Sequence, residues 1–110
     1  MTTPDGDDTF WALAAPLLEQ AGVTRSTMMG YACLRLNGDF FACLDRQDGS
    51  LVVKLDETQV TALIEAGTAD EFAPNGRRFR EWASIPPTKQ RNWPRHLDAA
   101  LAASAARQTR

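Results

Sequence analysis

The side chains able to do chemistry are few and far apart. One histidine, His96, and two cysteines, Cys33 and Cys43, are the only imidazole and thiol groups in the chain. A structural zinc site needs four such ligands, two of them usually closely spaced, and Cys33-x9-Cys43 offers no such spacing. No glycine falls in G-x-G-x-x-G or in a Walker-type phosphate loop, so nucleotide binding by those motifs is unsupported. His96 lies beside the apolar stripe of a predicted helix and next to Arg95; a catalytic base needs a positioned nucleophile, which spacing does not supply. Both cysteines lie mid-strand and read as small apolar fillers. The acidic pairs Asp7-Asp8, Asp56-Glu57 and Asp70-Glu71 fall in a tail, a helix cap and a loop, where adjacent carboxylates are ordinarily solvated. The expectation is a protein with no catalytic residue, no metal and no cofactor.

A second group is basic and aromatic. Arg77, Arg78, Arg80, Trp82, Arg91 and Arg95 are the candidate nucleic-acid contacts, with Lys89 and Trp93 among them in sequence. On an extended strand Arg78, Arg80 and Trp82 point to one side, presenting guanidiniums to phosphates and an indole for stacking. Charge is also segregated: residues 1–76 hold 4 Lys+Arg against 12 Asp+Glu, and residues 77–110 hold 8 against 2. The balances of −8 and +6 sum to the net charge of −2. Either the last third forms a basic surface, or the two segments neutralise each other in the fold. A pI near 5.3 favours the second alternative.

These residues must be held by elements read from pattern. Residues 1–7 have nothing to bury and are expected to form a disordered tail. Asp8 or Thr9 caps a helix whose stripe is Phe10, Leu13, Ala14, Leu17 and Ala21, kinked or divided at Pro16 and stopped at Gly22. Residues 23–29 read as a connector. Tyr31 to Leu36, Phe40 to Leu44 and Leu51 to Leu55 form a β-meander through Asn37-Gly38 and Asp48-Gly49, dipeptides suited to tight hairpin turns. With two-residue turns, Cys33 faces Ala42, Tyr31 and Val53 face Leu44, and Ala42 faces Leu55. One face then carries Tyr31, Cys33, Phe40, Ala42, Leu44, Leu51, Val53 and Leu55, interrupted only by Arg35, and is the expected core face. Cys43 falls on the other face, so the thiols are expected apart and reduced. That second face, with Leu34, Leu36 and Phe41, is more apolar than a solvated sheet needs. Helices cover it, or these three residues form an interface.

Asp56 and Gln59 make a capping-box pair, Val60, Leu63 and Ile64 a buried stripe, and Gly67 a helix stop. A strand follows over residues 78–85, with a short partner around Phe72. A last helix is capped by Asn92, tolerates Pro94 in its first turn, and buries Trp93, Leu97, Ala100, Leu101 and Ser104 before residues 107–110 fray. The order predicts one two-layer α+β domain over residues 8–106, with an antiparallel sheet of four to five strands and N-terminal, middle and C-terminal helices. The acidic start lacks a signal peptide's apolar stretch and no run approaches a membrane span, which makes a cytoplasmic protein the expectation.

Several short stretches together resemble a known family. Val23-Thr24-Arg25, Met28-Met29-Gly30-Tyr31, Leu36-Asn37-Gly38-Asp39-Phe40-Phe41-Ala42 and Leu51-Val52-Val53-Lys54-Leu55 are similar to the TfoX N-terminal domain family, itself related in fold to the MmcQ/YjbR-like proteins. Phe72-Ala73-Pro74-Asn75-Gly76-Arg77, Glu81-Trp82 and Ile85-Pro86 resemble its second signature, and Trp93 to Leu101 its closing helix. Met29 stands where the motif carries Phe. The resemblance covers residues 23–101 and implies an antiparallel α+β domain, no cofactor and no accepted catalytic residues. The namesake regulates competence genes and carries a second, C-terminal domain that this sequence does not include, so a stand-alone role is expected. The leading expectation is a non-enzymatic regulatory or interaction module binding a protein partner or a second copy of itself. A DNA-binding domain and a small-molecule-binding domain are the alternatives.

Overall fold

Asn37 and Gly38 both adopt positive φ, 51° and 88°, so the first meander turn is the tight two-residue hairpin that Asn-Gly favours. It closes on Leu36 opposite Asp39. The computed structural model describes residues 6–28, 31–45 and 47–109. Among them the order is α1 (Gly6–Leu18), β1 (Val23–Met28), β2 (Tyr31–Leu36), β3 (Asp39–Leu44), β4 (Leu51–Lys54), α2 (Glu57–Glu65), β5 (Asp70–Glu71), β6 (Trp82–Ile85) and α3 (Trp93–Gln108). The sheet is antiparallel, in the order β1-β2-β3-β4-β6-β5. The α+β class holds, with six strands where four to five were expected.

The added strand is β1. Residues 23–28 were expected to be a connector, yet they pair along their whole length with β2, from Val23 opposite Leu36 to Met28 opposite Tyr31. Polar Thr24, Arg25, Ser26 and Thr27 lack apolar alternation because β1 is an edge strand, where long apolar runs invite aggregation. Other bounds also move. Helix α1 begins at Gly6, inside the expected tail, whose residues 1–5 lie outside the described residues. It runs on through Pro16, because Pro16 and Ala12, whose carbonyl loses its donor, are both exposed. At the other end α3 holds helical geometry to Gln108 rather than fraying from residue 107. Asn92 makes no side-chain cap. The Asp56–Gln59 capping box forms in both directions, and Gly67 takes a φ of 75° just past α2.

The largest correction is the register of the meander. Leu34 lies opposite Ala42 and Arg35 opposite Phe40, which leaves Phe41 as an inserted residue in β3. A β-bulge of this kind changes face parity along the strand. Its cause is visible in the spacing of Phe41 and Leu44. Three residues apart, they fall on opposite faces of a regular strand, whereas here both are buried, at 0% and 1% exposure. Burying a leucine is worth about 1.5–3 kcal/mol, enough to outweigh a local break in the ladder. Beyond the bulge Cys33 lies opposite Cys43, so the cysteines share a face instead of being divided. The second turn is also longer than two residues. Asp45 N–H donates to the Ser50 carbonyl, and the Asp45 and Asp48 side chains accept from Gln47 and Ser50 N–H. Leu44 therefore faces Leu51, and Ala42 faces Val53.

Helices line one side of this sheet. Helix α3 packs on β2, β3 and β4, α1 on β1, β3 and α3, and α2 on β5 and β6. Phe10, Ala14 and Leu17 of α1, Val60 of α2 and Trp93, Leu97 and Ala100 of α3 join Leu34, Leu36, Phe41, Leu44, Leu51, Val53 and Ile85 in one core. Leu34, Leu36 and Phe41, the expected interface, are thus interior residues, with exposures of 0%, 7% and 0%. The expected core face is inverted along β2 and at the start of β3: Tyr31 and Cys33 of β2 and Phe40 of β3 look away from the helices, and Arg35, which interrupts that expected face, is outside the core.

Candidate functional site

The face without helices is built row by row from the register. Ser26, Cys33, Cys43, Val52, Ser84 and Asp70 are directly opposed in succession, so they share this side across all six strands. Cys33, Cys43, Val52 and Ser84 form a floor of small side chains with 0–8% exposure. The next row is taller and more accessible. Arg35 opposes Phe40, Lys54 opposes Trp82, and all four are half-buried. The Arg35 guanidinium sits 4.8 Å from the centre of the Phe40 ring, held also by its Nε–H donating to the Gly38 carbonyl.

This row continues past β6 into an aromatic cluster. Residues 74–76 form a short 3-10 turn, and Phe79 N–H donates to the Phe72 carbonyl, folding the loop back beside β5. Phe72 thereby contacts Trp82 and Phe79, with ring centres 6.5 and 5.9 Å apart. Phe79 is 41% exposed, the large apolar side chain most open to solvent among the described residues, and Arg77 lies 6.0 Å from its ring. The edge of the face therefore presents cation and ring in turn: Arg35 with Phe40, Lys54 with Trp82, then Phe72, Phe79 and Arg77.

The six candidate contacts do not come together. Residues 77–81 lie outside strand β6, so Arg78, Arg80 and Trp82 are not aligned along one strand face. Arg78 pairs with Glu71 at 3.3 Å and Arg80 with Glu57 at 3.5 Å, both solvent-exposed. Arg91 and Arg95 stand exposed beyond the other end of β6, which is about 13 Å long at the rise of a strand. Of the set, Trp82 and Arg77 belong to the cation–aromatic edge. Arg35, Phe40, Lys54, Phe72 and Phe79 were missed. The signal for Lys54 was its alternation with Val53, and for Arg35 its place as the single charge on a supposed core face.

The other places where chemistry could sit offer less. Cys43 is held above its ordinary thiol range by its hydrogen bond with Cys33 and by burial, the reverse of nucleophile activation. Among the described residues no group of three or more His, Cys, Asp and Glu side chains is placed to hold a metal ion. A cleft of about 320 Å³ lies between the start of α2 and the outer side of α3, walled by Ala99, Ala103 and Ala106. Of its polar side chains, Asp56 and Gln59 are engaged in the capping box and Arg107 with Asp39, which leaves the exposed Glu81 carboxylate as the polar group it offers. No helix among the described residues is long and apolar enough to cross a membrane. No protein-family model, curated protein or solved structure matches this chain.

Proposed function

We propose that this chain is a non-enzymatic binding module of the TfoX N-terminal-like kind, and that the helix-free face of its sheet receives single-stranded nucleic acid. The observation that carries this reading is the succession of cation and ring along one edge of that face. Adjacent strands lie about 4.8 Å apart, so side chains from β2, β3, β4 and β6 extend over about 14 Å, the reach of a few nucleotides. Single strands are held by such surfaces because every base offers a ring for stacking and every linkage a phosphate for a cation. A duplex hides its bases, so duplex binding here is weaker. The net charge of −2 makes the attraction local rather than global.

The test is fluorescence anisotropy of a labelled oligothymidylate titrated with the protein over a series of salt concentrations. With Arg35, Lys54 and Arg77 as the phosphate contacts, log K falls against log salt with a slope of about −2, near 0.7 per contact. Trp82→Ala weakens binding about tenfold or more, the loss of one stacked base, while Arg91→Ala and Arg95→Ala leave it unchanged. Absence of binding at low salt, a duplex bound as tightly as a single strand, or a larger loss from Arg91→Ala than from Trp82→Ala overturns the reading.

A further inference from the structure

The floor of the helix-free face holds a pair of sulfur atoms that the cation–aromatic edge does not use. Cys33 and Cys43 are directly opposite on adjacent antiparallel strands, and both are reduced. Directly opposed residues of an antiparallel pair have Cα atoms about 4.5–5.5 Å apart, within the roughly 4.4–6.8 Å that a disulfide spans. Both are buried, Cys33 at 0% and Cys43 at 6% exposure, and neither belongs to the core that the helices join.

We propose that Cys33 and Cys43 are a redox modification site, closing to a reversible cross-strand disulfide by exchange with a low-molecular-weight disulfide. Cys43, the more exposed, attacks one sulfur of the reagent R–S–S–R as its thiolate. The reagent's S–S bond breaks, and the departing R–S⁻ takes up the proton that Cys43 lost. Cys33 then attacks the Cys43 sulfur of the mixed disulfide and expels the second R–S⁻, which is protonated in turn. Two protein thiols lose two hydrogens while R–S–S–R is reduced to two R–SH. The hydrogen bond with Cys33 and burial hold Cys43 in its thiol form, so the exchange is slow at neutral pH and accelerates as pH rises. Once formed, the bond ties β2 to β3 one residue pair beyond the bulge at Phe41 and closes a loop around Asn37-Gly38. The pairing follows from the register of β2 and β3 and is independent of what the edge binds.

The experiment uses the full chain, folded and without denaturant, incubated with oxidised glutathione at mildly alkaline pH and quenched in acid. The expected product is monomeric, lighter by two hydrogens, free of glutathione, and yields a Cys33–Cys43 linked peptide on digestion. Dithiothreitol restores both thiols. The oxidised form melts on the order of 10 °C higher, as closing a short native loop requires. Cys33→Ser traps glutathione on Cys43, because the resolving thiol is gone. Persistent glutathione on the unaltered chain, a disulfide-linked dimer or two unreacted thiols overturns the proposal. So does an oxidised form that melts no higher than the reduced one, since its bond is then one the native register does not accommodate.

Discussion

His96 is buried on α3, and its Nε2, like the Nε1–H of Trp93 one turn earlier, has no hydrogen-bond partner among the described residues. Burial, and then the charge of neighbouring Arg95, lower its pKa below the usual 6.5, because the imidazolium would be both desolvated and repelled. Above about pH 6.5 folded and unfolded chains both hold neutral histidine, and this residue makes stability independent of pH. As pH falls below that value the unfolded chain takes up the proton first, so stability declines, by at most about 1.4 kcal/mol per pH unit, until the folded pKa is passed. Urea midpoints of the parent protein therefore fall between neutral pH and about pH 5, and those of His96→Gln fall less. Equal declines in both proteins would show that His96 titrates normally. A histidine beside an apolar stripe was legible in the sequence, but its full burial was not, since that depends on how α3 rotates against the sheet.

At the scale of elements, α3 is tied to the first hairpin by side chains some 65 positions apart. Asp39 accepts hydrogen bonds from Ser104 Oγ at 2.6 Å and from the Arg107 guanidinium at 2.7 Å. Gln108 Nε2 donates to the Leu36 carbonyl, and Asn37 Nδ2 donates to Gln108 Oε1. Burial raises the Asp39 carboxyl, but the bonds from Ser104 and Arg107 and the charges of Arg107 and Lys54 outweigh it and hold the pKa below 3.8. The stabilisation from this carboxylate is therefore complete above about pH 4 and is lost as pH falls through the lowered pKa. Asp39→Asn should cost about 1.5–3 kcal/mol at neutral pH, the worth of hydrogen bonds to a charged group. Urea unfolding checks the value, and a loss under about 0.5 kcal/mol would show the tie to be ornamental. These contacts also keep α3 helical to Gln108, where sequence alone predicted fraying.

Across the whole molecule the segregated charges meet in part. Arg78–Glu71, Arg80–Glu57 and Arg107–Asp39 each join a cation of the last third to a carboxylate of the first two thirds. The first two are exposed and contribute little to stability, yet they occupy two arginines of the expected basic surface. The apolar interface expected from Leu34, Leu36 and Phe41 is likewise absent from the surface, since helices cover it. With Phe79 the large apolar side chain left exposed among the described residues, no broad hydrophobic patch drives association. Multi-angle light scattering should give a monomer at micromolar concentration, and a stable dimer there would show that the helix-free face pairs with itself.

What the sequence determined by itself is local. Asn37-Gly38 selects its turn, Asp56 and Gln59 cap α2, Gly67 ends it, and Pro94 starts α3, because each depends on backbone groups within a few residues. The α+β class was legible for the same reason, from the order of periods along the chain. Tertiary structure decided the faces. Phe41 and Leu44 compete for one side of β3, and only the burial offered by α1 and α3 settles that competition with a bulge. That bulge brings Cys33 opposite Cys43, turns Leu34 and Leu36 inward, and leaves Arg35, Phe40, Lys54 and Trp82 along the open edge. A one-residue shift in a period-two structure inverts everything beyond it, so the candidate site waited on a packing choice that no local pattern contains.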